Sequence, residues 1–251
     1  MTTAVAPPVR STPGQRFCAW CGVLFVAVFF PGMLMAGLFP PHSPQDGAHQ
    51  IAEAWATNPE IRRFGILLCV IAAGLGAPLA AVISAYLKKI VEAGTYSNLQ
   101  LIGGATAVVA ILVPMFIWAA AAFRPGERSD EMILMLNDLA WLPFVMNFPP
   151  ALMQCLAVGF AVLGDHREVP VLPRWVGYYN LWTAAMFLPG GLVIFFHTGP
   201  FAWNGLLAFW LVAVLFGAWF IVMTFVMLNA IKQDQARPVP RTAGAGTEAT
   251  R

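Results

Sequence analysis

Asp138 is an acidic residue set inside an apolar stretch of this chain, with Asn137 before it and Trp141 about one helical turn after it. A carboxylate turned toward hydrocarbon is costly, so such a residue faces a protein interior, pairs with a cation or takes up a proton. Arg124 and Arg128 are the candidate cations for an ion pair that would pin neighbouring segments. A protonated Asp138 would instead suit acid catalysis on a hydrophobic substrate, which makes it the candidate catalytic residue. His197 and Asn204 flank a Thr198-Gly199-Pro200 connection, with Trp203 between them. Asn137, Asp138, Trp141, Arg124, His197, Trp203 and Asn204 are therefore expected to line one polar, ligand-binding mouth.

Other chemistries find less support. Cys18-Ala19-Trp20-Cys21 has the spacing of a redox pair, but Cys69 and Cys155 stand alone, and four ordinary thiols are the expected reading. His49 and Glu53 lie one helical turn apart, with His42, Asp46 and His197 elsewhere, yet no HExxH or comparable pattern fixes a metal shell. No histidine lies deep in an apolar stretch to ligate haem. Gly103-Gly104 lacks the lysine and spacing of a phosphate loop, and no Gly-x-Ser-x-Gly elbow occurs. No metal and no cofactor is expected, and one charged residue within the apolar stretches is a poor basis for a proton-driven pump.

These residues sit among six stretches, Phe17–Leu38, Phe64–Leu87, Leu101–Phe123, Leu134–Leu163, Trp175–Phe196 and Trp203–Ile231, each long and apolar enough to cross a bilayer as a helix. Hydrophobic residues make up 59% of the chain and charged ones 10%, and mean hydropathy is +0.71, so no soluble core could cover this surface. The expected fold is all-α: a polytopic bundle of six transmembrane helices over 17–231, with disordered cytoplasmic tails at 1–16 and 232–251. The first stretch is too long for a signal core and is expected to be retained. A net charge of +2 points away from nucleic acid.

Ten basic residues fall on one side of this six-span arrangement (Arg10, Arg16, Lys88, Lys89, Arg167, Arg174, Lys232, Arg237, Arg241, Arg251) and four on the other (Arg62, Arg63, Arg124, Arg128). That asymmetry predicts both termini in the cytoplasm. Ser43-Pro44-Gln45-Asp46 begins a short interfacial helix in the first outer loop, with Ile51, Ala52, Trp55 and Ile61 expected to rest on headgroups. Ala73, Ala77, Ala81 and Ala85, beside Gly76 and Ser84, predict a small-residue contact stripe. Pro31, Pro78, Pro114, Pro143, Pro149, Pro150 and Pro189 interrupt five of the stretches and predict bent helices enclosing an outward or midplane pocket. Phe29-Phe30-Pro31-Gly32 is echoed by Phe187-Leu188-Pro189-Gly190, too short a match to establish a duplication.

Taken together, Cys18-Ala19-Trp20-Cys21-Gly22, Asn137-Asp138-Leu139-Ala140-Trp141, Pro173-Arg174-Trp175-Val176-Gly177-Tyr178 and the run His197 to Gly205 resemble a group of uncharacterised bacterial, chiefly actinobacterial, membrane proteins. The resemblance covers most of residues 17 to 231. It implies a six-span topology and a bacterial plasma membrane, and carries over no functional residue. That group's pattern has lysine where this chain has His197.

The resulting expectation is a plasma-membrane protein that binds or translocates an apolar or lipid-like small molecule in a pocket open to the outer side. Phe116, Trp118, Phe144, Phe148, Phe187, Phe195, Trp210 and Phe216 would form its wall, and Asn137, Asp138, Arg124 and Asn204 its polar end. A cyclase or isomerase using Asp138 as acid, and a structural or accessory subunit, are the alternatives. Membrane lipids, a hydrophobic small molecule, a second copy or a membrane partner are the expected company.

Overall fold

The computed structural model describes residues 13–90 and 93–236, which are helical with connecting turns and contain no strand. Its helices are α1 (Pro13–Met35), α2 (Ala48–Ala56), α3 (Pro59–Leu87), α4 (Gly94–Phe123), α5 (Asp130–Val145), α6 (Phe148–Leu163), α7 (Arg174–Phe187) and α8 (Leu211–Ala236). Five helical segments are long and apolar enough to cross a membrane: α1, α3, α4, α5 with α6, and α8 with the turn before it. Their outer faces carry Leu24, Ile71, Ile102, Val109, Phe116 and Val214, all exposed. Apolar helices of this length with apolar outer faces mark a membrane protein. Pro13–Arg16 and Lys232–Ala236 are helical rather than tails, and the remainder of the expected tails lies outside the described residues.

Proline chemistry explains where the helices stop. Pro149 and Pro150 have no N–H, so the carbonyls of Val145 and Met146 lose their helical donors; α5 ends at Val145, and α6 starts at Phe148 with the prolines in its first turn. The expected single helix over Leu134–Leu163 is thus two helices separated by Met146-Asn147. Trp175–Phe196 likewise departs from the expected long helix. Pro189 ends the α-helical ladder, α7 stops at Phe187, and Leu188–Phe195 winds on as a tighter 3-10 helix. At about 21 Å, α7 alone is too short to span hydrocarbon. Before α8, Leu206–Trp210 forms a wider π-type turn over the Gly199–Gly205 loop.

The long helices close into a ring in the order α1, α3, α4, α6, α7, α8 and back to α1, while α5 packs on α4, and α2 lies across α5. Small residues set the close contacts, since in lipid van der Waals approach takes the place of a hydrophobic drive. A Cβ added to Gly65 of α3 would lie 2.4 Å from the Ala36 nitrogen and 2.5 Å from the Gly32 carbonyl of α1. Between α3 and α4, Ser97 Oγ donates to the Ser84 carbonyl (2.9 Å), and Gly104 abuts Ala80. The buried small face of α3 is Ala72, Ala73, Ala80 and Ser84; Ala77 and Ala81 are exposed, a register correction to the expected stripe. Gly159 and Gly177 bring α6 against α7, and Thr224 Oγ1 of α8 donates to the Ala19 carbonyl of α1 (3.0 Å). The α7–α8 seam is the sparsest in the ring.

α2 also departs from expectation. Its apolar face, Ile51 and Trp55, is buried in the protein against α5 instead of lying free for headgroups, and Ile61 belongs to α3 and is exposed. The ring therefore has an α2 end and an opposite, tail end, where Pro13 and Ala236 lie.

Gly65→Ala should lower the thermal midpoint in detergent by an amount equivalent to about 1–3 kcal/mol, because only backbone surrounds the new methyl group. Gly74→Ala, whose methyl group would meet nothing within 4 Å, should leave the midpoint unchanged or slightly raised.

Candidate functional site

At the α2 end the structure gathers part of the expected polar mouth. Trp55 Nε1 donates to Asn137 Oδ1 (3.4 Å), and Asn137 Nδ2 donates to Asp138 Oδ1 (3.5 Å). Trp141 stacks on Trp203 (6.4 Å) and meets Trp118 edge-on (4.9 Å), while Trp203 Nε1 donates to the His42 carbonyl (2.9 Å). The indole N–H groups of Trp118 and Trp141 are buried with no partner. Asn137 and Trp141 are buried, Trp203 nearly so, Asp138 and Asn204 half-buried, and His197 and Arg124 exposed. This is a packed aromatic cluster.

Asp138 makes no ion pair with Arg124 or Arg128 among the described residues. Arg128 donates to the Ala120 carbonyl, and Arg124 lies over the Phe123 ring (5.9 Å). The arginines at this end serve helix termini: Arg62 donates to the Ala36 carbonyl (2.8 Å), and Arg63 donates to those of Ala122 (2.9 Å) and Phe123 (3.0 Å). Cations there complement the negative ends of α1 and α4. His42 has its pKa lowered, first by burial and then by Arg62, against the opposing pull of Asp46. His49 Nδ1 pairs with Asp130 Oδ2 at 3.0 Å on the surface. Among the described residues no three His, Cys, Asp or Glu side chains converge as a metal shell.

A groove of about 330 Å³ runs at this end between α2 and the α4–α5 loop, lined by His49, Glu53, Trp55, Arg128 and Asp130 among others, and the apolar space lies in the middle of the ring. A cavity of about 100 Å³ is lined by residues at every helix interruption: Val145, Asn147 and Phe148 at the α5–α6 break, Phe187 at the end of α7, and Ala208 and Phe209 in the π-type turn. Gly190 makes this convergence possible, since its Cβ would fall 2.9 Å from the Val145 carbonyl that Pro149 left without a donor. Phe29 and Phe30 of α1 and Phe216 of α8 complete the aromatic wall. A second cavity of about 30 Å³ adjoins it through Ala107, Ile111, Ala151, Phe187 and Phe216, and all six helices of the ring contribute to its lining.

Polar groups here are few and neutral. Asn147 is the polar side chain of the larger cavity; Gln154 and Cys155 are those of the smaller. Gln100, one α4 turn from the Gly104 that faces Gln154, is fully buried with neither amide atom hydrogen-bonded. None of the seven residues expected to form the mouth lines either cavity. Of the expected aromatics, Phe144, Phe148, Phe187 and Phe216 do so, whereas Phe116 and Phe195 point outward. Phe29, Phe30, Gln100, Asn147 and Gln154 are the residues sequence reasoning missed. Neutral amides inside apolar stretches were the available signal for the last three.

At the tail end, charge pairs tie α3, the α6–α7 loop and α8 together. Arg167 donates to both Asp165 oxygens (2.7 Å each) and to the Lys89 carbonyl (3.1 Å), while Lys89 pairs with Asp234 and lies over the Tyr86 ring. Compared with protein families, curated proteins and solved structures, the chain matches none.

The Arg167 hydrogen bonds hold the Asp165 carboxyl at about 2, below its ordinary 3.8, against the opposing effect of burial and with help from the Val171 N–H. A folded pKa below the unfolded value stabilises in full above about pH 4 and fades as pH falls toward 2. The midpoint gap between the native protein and Asp165→Asn should therefore be widest near neutrality and narrow across that acid range in detergent melts. A gap independent of pH would show that the carboxylate charge is immaterial.

Proposed function

We propose that this is a multi-span protein of the bacterial plasma membrane that binds, and by doing so moves or presents, an apolar or lipid-like small molecule in the cavity at the centre of the helix ring. One observation carries the reading: the two adjoining cavities are together lined by every helix of the ring, their walls are aromatic and aliphatic, and their polar side chains are the uncharged Asn147, Gln154 and Cys155. Interrupted helices meeting at a central site are a recurring device of membrane transporters. Cavities with such lining take up hydrocarbon and exclude ions, whose desolvation nothing here would offset.

The chain crosses six times in this reading, with α7 and the 3-10 helix after it forming a broken sixth passage. Together they reach about 37 Å if collinear. The tail end faces the cytoplasm, because Arg16, Lys88, Lys89, Arg167, Arg174 and Lys232 lie there. The basic residues at the α2 end are Arg62, Arg63, Arg124 and Arg128, and three of these are engaged by helix carbonyls. The larger cavity then sits between midplane and outer leaflet. The enzyme alternative has no acid at this cavity, since Asp138 is outside its lining.

Ala107 borders both cavities, so Ala107→Phe should fill the space between them. Mass spectrometry of lipid extracts from purified protein should find a lipophile enriched over the bulk membrane in the native protein and reduced roughly tenfold in the variant, as loss of about 1.4 kcal/mol of binding implies. Equal lipid content in both, in membrane proportions, would remove the proposal.

A further inference from the structure

The ring is closed tightly everywhere but between α7 and α8. α7 is held to α6 through Gly159 and Gly177, and α8 is held to α1 through Thr224, but across the α7–α8 seam the polar links between side chains meet at one residue: Trp219 Nε1 donates to Asn180 Oδ1 (2.9 Å), and Asn180 Nδ2 donates to Met223 Sδ (3.6 Å). Asn180 is kept in place by donating to the Val176 carbonyl (2.8 Å) on its own helix. Both side chains are buried. On the inner side of this bolt, Trp219 lines the smaller central cavity.

On the outer side of the same two helices runs a groove of about 320 Å³. It is lined by Pro173 and Trp175 from the α7 end and by Ile221, Phe225 and Val226 of α8, running along α8 from Ile221 to Gln233. There it joins a small polar pocket, sharing Val171, Ala230 and Gln233 with it, whose remaining lining is Tyr86, Lys89, Arg167 and Asp234. An apolar trough that ends in a phenol and two cations, Lys89 paired with Asp234 and Arg167 with Asp165, has the form of a zwitterionic membrane phospholipid: hydrocarbon along α8, and at the tail end the phosphate toward the cations and the cationic head substituent toward Asp234.

Resting on the central-cavity reading, we propose that the α7–α8 seam is a lateral portal. A phospholipid docks in the outer groove with its head at Lys89 and Arg167, and its acyl chain reaches the central cavity when the Trp219–Asn180 hydrogen bond opens. The bolt is the barrier because the surrounding seam contacts are apolar and sparse, and an acyl chain can replace them with contacts of the same kind. The head stays outside, where charge partners exist, since the polar side chains of the cavities are neutral.

The test uses the full protein in nanodiscs of phosphatidylethanolamine and phosphatidylglycerol containing a phosphatidylcholine with a diazirine near its acyl terminus. Flash photolysis at increasing times after probe addition is followed by peptide mapping of adducts. Adducts should form early on the 221–233 segment and later at Phe187 and Cys155. Trp219→Phe and Asn180→Leu should speed the later adducts roughly three- to tenfold, the range one hydrogen bond is worth, and leave the groove adducts unchanged. Gly65→Ala, which loosens α1 from α3 instead, should not alter that rate. An unchanged interior rate in both bolt variants, or an equal acceleration in Gly65→Ala, would overturn the portal while leaving the central cavity standing. Groove adducts with none inside in any variant would overturn the central reading, and the portal with it.

Discussion

A carbonyl stripped of its hydrogen-bond donor cannot be left facing hydrocarbon, and this constraint organises the molecule. Pro149 frees the Val145 carbonyl, Pro189 breaks the ladder after α7, and the Pro200 carbonyl receives the Leu207 and Ala208 amides beneath the π-type turn. All three interruptions are turned toward one another inside the ring. Gly190 lets the first two come within backbone contact, and Ala208 brings in the third. Interrupted helices pack less completely than straight ones, so the same convergence that shelters the backbone leaves the cavity beside it.

Around that centre the ring has strong and weak joints, and the difference lies in residue size. Where glycine, alanine or serine face each other, as at Gly32–Gly65, Gly104–Ala80 and Gly159–Gly177, backbones touch and no chain could slip between them. At the α7–α8 seam, the large side chains of Trp219 and Met223 meet Asn180 of α7 instead. A tryptophan can be a wall, but it can also swing. The hydrogen bonds of Asn180 with Trp219 and Met223 are the buried polar links of this apolar seam, and such links carry more of the specificity than their neighbours.

Much of the fold was legible because hydrocarbon demands long apolar runs, and such runs are visible in the sequence: α1, α3, α4 and α8 overlap their expected places, with α4 starting earlier, at Gly94, and α8 later, at Leu211 after the π-type turn. What was not legible depended on direction around a helix axis. The alanine stripe of α3 was read at a strict four-residue spacing, whereas contact with a neighbour drifts to Ala73, Ala80 and Ser84. For α2, amphipathicity said that one face would be buried, not whether lipid or protein would bury it. The short α7 was hidden because Trp175–Phe196 is apolar enough to span, and only Pro189 with Gly190-Gly191 hinted that its winding would change.

The lining of the central cavities was hard to read for a related reason. Charge in an apolar stretch points to Asp138 and its neighbours as a polar end, yet Asp138 stands half-buried in the middle of α5 and outside the lining of both central cavities. The harder residues to accommodate are Gln100 and Gln154, which bring hydrogen-bonding groups into the interior without the charge that would betray them. An unpartnered buried amide costs roughly 1–3 kcal/mol, and Gln100 leaves both of its atoms unpaired. Gln100 lies behind the lining of both cavities, one α4 turn from the Gly104 that borders the smaller. The polar side chains at the two cavities, Asn147, Gln154 and Cys155, are thus neutral, while paired charges gather at the tail end, where Lys89 meets Asp234 and Arg167 meets Asp165.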